Sequence, residues 1–187
     1  MKTVRVNLYA GPDAGKSTIA NFLTAKFKMQ KKRYKVEYVN EMAKDWAYSG
    51  LRMKCSSDQF LLFANQKWKE ELYLMGGARF VITDSPLLLA VSYSKRYGFP
   101  EDVPAMMVSE AAFESKYPSV NILINKKRNQ KDYNADGRYQ NDCLDAADMD
   151  SRILSDLKNT HRKFKEFAYD DAKSIYRFVK GVIDASD

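Results

Sequence analysis

The chain has 187 residues and 21.5 kDa, 45% of them hydrophobic and 29% charged, with 8 Gly and 5 Pro. That composition excludes collagen-like, low-complexity and wholly disordered classes, and at roughly 100–200 residues per domain it predicts one compact domain. Lys and Arg (31) exceed Asp and Glu (24) by 7 and set the pI near 9.2, a balance that favours anionic partners (nucleotides, nucleic acid or an acidic surface) without choosing among them.

Along the chain, residues 3–9 alternate apolar with polar or basic side chains and break at Gly11-Pro12, which predicts a first strand ending in a loop. From Lys16 to Phe27 the apolar positions Ile19, Phe22, Leu23 and Phe27 recur at helical steps. Val36–Val39 reads as a second strand, Glu41–Tyr48 as a helix up to Gly50, and Asp58–Leu74 as a long amphipathic helix closed by Gly76-Gly77. The apolar run Phe80–Thr83 ending in Asp84 has the pattern of a central parallel strand, with a helix beginning near Pro86. Val120–Ile124 predicts a fourth strand, Lys165–Tyr169 a fifth, and Asp145–Leu157 and the stretch from Ala172 to Val182 two further helices. Residues 126–142 carry five basic side chains and almost no apolar periodicity, the mark of a basic loop. Alternating strands and helices predict a three-layer α/β/α fold with a parallel five-stranded sheet, right-handed crossovers and ligands at the C-terminal strand ends.

The segment Ala10-Gly11-Pro12-Asp13-Ala14-Gly15-Lys16-Ser17-Thr18 lies between the first strand and the first helix. Gly11 and Gly15 let the backbone turn with N–H groups inward, and the helix N-terminus adds positive potential. Lys16 can neutralise β- and γ-phosphate oxygens, and Ser17 can offer a hydroxyl to Mg²⁺. These nine residues predict a nucleoside-triphosphate site. The motif's usual first glycine is Ala10 here, and Asp13 places an acid in an anion cradle, with its carboxylate expected to point away from the phosphates.

Asp84, at the tip of an apolar strand, is placed to hold Mg²⁺ directly or through water; Asp84-Ser85-Pro86 is equally a helix-capping sequence. Glu41 closes the second strand, where a carboxylate can take the proton of an attacking hydroxyl, or sit in a helix's first turn. Lys126-Lys127-Arg128 and Arg138 suit a basic lid over residues 126–142, its two arginines balancing charge on a transferred phosphoryl group. On the acceptor side, Gln59 and Gln66 stand seven residues apart on one helix face. Either could read a base edge while Phe63 or Tyr48 stacks on it; core packing of the aromatics is the competing reading. The dense basic run Lys26–Lys35 reads as a solvated helix end with nucleic acid as the alternative, and His161, the lone histidine, as a surface residue. Cys55 and Cys143 have no metal-ligand spacing, so neither a disulfide nor a zinc site is expected and a reducing cytoplasmic compartment follows. The longest apolar run, residues 86–91, falls far below the ~20 residues that cross a bilayer, and no apolar leader precedes the first strand, so a soluble protein is expected.

The runs 10–18, Asn40–Trp46, Asp58-Gln59 with Gln66, Thr83–Leu89, Tyr133–Tyr139 and Ala147–Asp150, spread over most of the chain, resemble those of small phage-type P-loop kinases often grouped with AAA-family ATPases. That family is similar in architecture to deoxynucleoside, nucleotide and ribosylnicotinamide kinases and includes kinases of 5-hydroxymethyluracil within phage DNA. The resemblance implies γ-phosphoryl transfer from ATP to a hydroxyl of a nucleoside-like acceptor. It assigns Lys16 and Ser17 to triphosphate and Mg²⁺, Asp84 to the metal side, Glu41 to base duty, and Arg128 and Arg138 to the lid. The expected activity is a kinase of a nucleoside or nucleotide, with a hydroxylated base in DNA as the first alternative. An acceptor-free AAA-type NTPase is the second; the 27 residues after residue 160 leave little room for the helical domain such assemblies append.

Overall fold

The computed structural model describes residues 3–30, 34–126, 133 and 142–185. Five parallel strands, β1 (Val4–Tyr9), β2 (Val36–Val39), β3 (Phe80–Thr83), β4 (Ser119–Asn125) and β5 (Phe164–Ala168), form one sheet in the order β2-β3-β1-β4-β5. The first strand lies at the centre, with Val6 beside Ile82 of β3 and Leu8 beside Ile122 of β4. Among the described residues seven helices connect and flank them: α1 (Lys16–Lys28), α2 (Met42–Tyr48), α3 (Ser56–Met75), α4 (Leu87–Arg96), α5 (Val103–Lys116), α6 (Cys143–Asn159) and α7 (Ala172–Asp184).

The period-two alternation of the central strands divides the core. Val4, Val6 and Leu8 pack with Phe80 and Ile82 against α1 (Ile19, Leu23, Phe27) and α7 (Ile175, Val179, Ile183). Val39, Val81 and Leu123 meet α3, α4, α5 and α6 on the opposite face through Phe63, Leu88, Phe113 and Ile153. The alternation in β1 therefore does not separate core from water, because its polar positions are buried too. Arg5 donates from Nη1 to Glu70 (3.1 Å), from Nη2 to Glu114 and from Nε to the Tyr117 carbonyl, with its guanidinium 4.5 Å from the Phe113 ring. Arg162 closes the cluster on Glu110 at 2.5 Å. Burial pushes the Glu70 and Glu110 carboxyls above the usual range, with the neighbouring arginines opposing the shift.

The structure departs from sequence expectation at one helix start and in one whole helix, besides shifts of one or two residues at other ends. The helix predicted from Asp58 begins at Ser56, with Asp58 at its third position accepting from the Lys54 and Cys55 backbone N–H groups. Helix α5 has no counterpart among the predicted elements. Among the described residues, no helix is long and apolar enough to cross a membrane, His161 is exposed, and neither Cys55 nor Cys143 is in a disulfide.

Candidate functional site

The loop between β1 and α1 turns on two left-handed residues, Asp13 (φ 59°) and Gly15 (φ 76°), before Lys16 opens the helix. Glycine adopts that backbone without strain, and Asp is among the few other residues that tolerate it. Lys16 folds over the loop, its Nζ donating to the carbonyls of Ala10 (2.8 Å) and Gly11 (2.9 Å). Ala10 is fully buried in the core, so the replacement of the motif's first glycine costs the loop nothing it uses. The Asp13 carboxylate is held by Lys126 at the end of β4, whose Nζ donates to both Asp13 Oδ2 (2.9 Å) and the Asp13 carbonyl (2.8 Å). A second acid reaches the loop from α6: Asp150 Oδ1 accepts from the Gly11 N–H at 2.6 Å.

Direct pairing of β3 with β1 brings Asp84 beside the loop. Asp84 is 1% exposed, and its Oδ2 accepts from Ser17 Oγ at 2.5 Å and Tyr38 Oη at 2.7 Å. Its Oδ1 is buried without a partner. Burial, reinforced by the Asp84 charge, pushes the Tyr38 phenol well above its usual range, so the hydroxyl stays a donor. The capping alternative fails, since α4 is capped at Pro86 with no side-chain bond. An orphaned buried carboxylate oxygen next to a serine hydroxyl fits a divalent cation. Two protein ligands are too few to hold one alone, so the fit is to a cation that arrives with phosphates and water.

A cleft of about 250 Å³ opens over the loop. It is lined by residues Pro12 to Thr18 and by Glu41, Gln59, Tyr93 and Tyr97. Glu41 precedes α2 with extended backbone (φ −66°, ψ 122°), and its side chain does not cap that helix. It also borders an adjoining chamber of about 30 Å³ with Gln59, Gln66 and Tyr93. Both glutamines are 4% exposed, and each has a buried Oε1 without a partner; Gln66 Nε2 donates to Thr83 Oγ1 (2.9 Å) and Glu70 (3.3 Å). Burial, and after it the Glu41 charge, holds the Tyr93 phenol far above its ordinary range.

The structure thus gathers Gly11, Pro12, Asp13, Ala14, Gly15, Lys16, Ser17, Thr18, Glu41, Asp84 and Gln59 at one edge of the sheet, with Gln66 behind them. Phe63 is a correction to the sequence reading: its ring is 2% exposed in the core beside Leu87 and Met149 and borders neither cavity, so it presents no face for stacking. Tyr48, the other stacking candidate, is exposed and outside the cleft lining. Arg128 and Arg138 of the expected lid lie outside the described residues, as does most of 126–142. Sequence reasoning passed over Tyr38, Tyr93, Tyr97 and Asp150. The pair Tyr93 and Tyr97, one helical turn apart just after Asp84, carried a signal in its spacing; Asp150 fell within the run Ala147–Asp150 of the family resemblance but was given no role, and Tyr38 carried no signal.

Among solved structures, the chain is similar to the thymidylate kinase of Ehrlichia chaffeensis (12% identity, TM-score 0.67, 98% of this chain and 100% of that one). It is also similar to the deoxyadenosine kinase of M. mycoides (13%, TM-score 0.57, 98% and 100%) and to a NadR protein in complex with NR (14%, TM-score 0.66), where it covers 88% of its own length but 45% of that chain. At these identities the likeness is one of fold, the P-loop NTPase architecture of nucleotide kinases. A comparison with curated protein sequences finds no match. The AAA domain family model matches residues 5–173, and the chain belongs to that family.

Proposed function

We propose that the protein transfers the γ-phosphoryl group of ATP to a hydroxyl of a nucleoside or nucleotide. The observation that carries the reading is that Glu41 and the phosphate loop line one cleft, which brings an acid and a triphosphate cradle to the same cavity. Relatives in fold that act on thymidylate and deoxyadenosine agree with it.

In this reading Lys16 leaves the Ala10 and Gly11 carbonyls for the β- and γ-phosphate oxygens, and the turn at residues 11–15 supplies backbone donors. Ser17 and Asp84 would hold Mg²⁺, which when bound neutralises charge on the phosphates. The groove of about 660 Å³ on the far side of the loop, bordered by Asn125, Lys126 and Tyr169, gives room for the donor's nucleoside. Glu41 accepts the acceptor hydroxyl's proton as that oxygen bonds to the γ-phosphorus, and the bond from phosphorus to the β,γ-bridging oxygen breaks to release ADP. Tyr93 and Tyr97 lie nearly parallel (14° between planes) beside Glu41 and offer a platform for the acceptor ring. The unpartnered Gln59 carbonyl oxygen suits a donor on that ring's edge. Arg128 and Arg138 stay in the proposal as lid cations.

The net charge of +7 favours a second reading, the same transfer to a hydroxymethylated base in DNA flipped from its stack, as the phage-type resemblance implies. Incubation with γ-labelled ATP, Mg²⁺, a panel of nucleosides and nucleotides, and hydroxymethyluracil-containing DNA, followed by location of the label, tests both. Label is expected on a nucleoside or nucleotide. Label on DNA, with affinity falling steeply as salt rises, would favour the second reading; label only in inorganic phosphate across the panel would overturn both and support an acceptor-free NTPase.

A further inference from the structure

The chamber of about 30 Å³ beside the cleft is lined from α3 by Gln59, Leu62 and Gln66 and from α4 by Leu87, Ala90 and Tyr93. Since roughly 10–15 Å³ suffices for one water, it takes a substituent and not a ring. It shares Glu41, Ala43, Gln59 and Tyr93 with the cleft, so a molecule bound in the cleft can extend a group into it. Gln59 Oε1 and Gln66 Oε1 are buried, and neither has a hydrogen-bond partner among the described residues; the hydroxyls of Ser85 and Tyr93, on the same lining, satisfy neither. A buried carbonyl oxygen left unpaired costs free energy that an arriving donor recovers.

The Gln66 amide can stand only one way round. Its Nε2 donates to Thr83 Oγ1 and Glu70 Oε1, and turning it over would set its oxygen against a carboxylate oxygen. Glu70 is fully buried and takes no part in the phosphoryl transfer; its other oxygen accepts from Arg5 Nη1 at 3.1 Å. Thr83 Oγ1 accepts from the Ser85 N–H as well, at 3.1 Å. Gln66 therefore has its donor end spent on the protein and its acceptor end left over. Two unpartnered oxygens on one small chamber call for two donors close together, and an exocyclic amino group carries two N–H on a single nitrogen. A keto base puts an oxygen in that place, facing oxygens, with one ring N–H beside it.

Resting on the reading of the protein as a kinase of nucleosides or nucleotides, we propose that its acceptor carries an exocyclic amino group, as cytosine and adenine do, and seats that group in the chamber, with Glu70, braced by Arg5, as the positioning residue that sets the preference. Uracil, thymine and hypoxanthine are the bases turned away, and a hydroxymethylated uracil falls among them. The role of Glu70 follows from donor and acceptor counting. In Glu70→Gln the new amide must give its oxygen to Arg5, which can only donate, and so turns its NH₂ toward Gln66. Two NH₂ groups cannot pair, so Gln66 turns over, accepts from the Thr83 hydroxyl, and presents Nε2 to the chamber in place of oxygen.

Calorimetric titration of the full chain with cytidine against uridine and adenosine against inosine, as nucleosides and as 5′-monophosphates, tests this without turnover. In each pair that binds, the amino member is expected to bind at least about 100-fold tighter, well within what a site built around a substrate N–H achieves. Glu70→Gln should cut that ratio at least about 10-fold, whereas a merely structural role for Glu70 would weaken both members alike and leave the ratio. Gln66→Met, which removes the amide, should level the pairs in the same way. Equal binding within pairs, a keto preference, or a folded Glu70→Gln with the wild-type ratio would overturn the proposal. Should Glu70→Gln fail to fold, the wild-type ratio and Gln66→Met decide. The labelled-ATP panel tells the two failures apart. Label passing as readily to keto as to amino acceptors removes the preference and leaves the kinase reading standing; amino-selective binding with no transfer to any acceptor removes that reading and leaves the chamber's chemistry. Absence of binding by every nucleoside and nucleotide overturns both.

Discussion

Changing Asp84 to Asn should uncouple chemistry from stability. In the folded chain Asp84 Oδ2 accepts from Ser17 and Tyr38, and Oδ1 is buried with no partner. Hydrogen bonds to a charged acceptor are worth about 1.5–3 kcal/mol each and neutral ones about 0.5–1.5 kcal/mol, so Asn, which keeps both in neutral form, forfeits about 2–3 kcal/mol. Against this stands relief from burying a carboxylate with one oxygen unpartnered, itself several kcal/mol. The two nearly cancel, and unfolding in urea without nucleotide or Mg²⁺ should shift by about 1 kcal/mol or less. Phosphoryl transfer, by contrast, should fall at least about 100-fold, equivalent to 2.7 kcal/mol of barrier, since the charge that organises Ser17 and the cation side is gone. A variant that loses more than about 3 kcal/mol of stability and keeps its turnover would refute the reasoning and make Asp84 a structural residue.

Four other changes probe separate parts of the molecule. Lys16→Ala should reduce label transfer at least about 1000-fold and abolish the thermal shift that ATP induces in the wild type. Glu41→Gln should lower kcat by about 100-fold or more while the Kd for ATP, read by calorimetry, stays put; unchanged turnover removes Glu41 from the mechanism. Asp150→Asn weakens the charge-assisted bond that fixes Gly11, and should raise the KM for ATP about 10-fold with a smaller effect on kcat, as expected of a positioning residue. Arg5→Met leaves the buried Glu70 unpaired and should cost about 3–5 kcal/mol in urea unfolding. Burial holds Glu70 above its ordinary 4.5, so over that window the folded chain keeps a proton the unfolded chain has lost, and stability falls as pH rises from 4.5 to the raised value. Without the Arg5 charge, which lowers Glu70, the fall should extend to higher pH.

The five strands were legible because each is a short run of apolar or alternating residues bounded by turn signals, and the phosphate loop because its residues are contiguous. Helix α5 was not. Its buried face consists of Met106, Glu110 and Phe113, and an apolar-periodicity reading cannot count a buried glutamate whose partner, Arg162, lies 52 residues away. Glu41 and Asp84 could be found because each ends a strand, a position that topology turns toward the ligand. Tyr38 on Asp84, Lys126 on Asp13 and Asp150 on Gly11 span 46, 113 and 139 residues, and each contact exists only once β2, β4 and α6 have been laid around β1. Phe63 shows the converse error. An aromatic on the same helix as two site glutamines fits a stacking role on paper, but its position turns it into the core, while Tyr93 and Tyr97 of α4 reach the cleft instead.

These contacts also change what the chain's charge means. A net +7 invites the picture of a positive phosphate cradle, yet among the described residues in contact with the loop two lysines, Lys16 and Lys126, stand among three acids, Asp13, Asp84 and Asp150. Lys126 is engaged with Asp13, so these five residues, counted without the lid cations of the proposal, are close to balanced or slightly negative before any ligand arrives. A bare polyanion is poorly served by such a site, whereas a triphosphate that brings its own cation and takes Lys16 and backbone N–H groups in trade is well matched to it. Part of the positive charge lies away from the loop, at the end of α1, where Lys26 and Lys28 are exposed. In the proposed function, donor recognition therefore rests on the loop, and the second reading's attraction to nucleic acid would draw on the outer lysines as well. Salt dependence on DNA would report those outer lysines, and the response to Mg²⁺ would report Ser17 and Asp84.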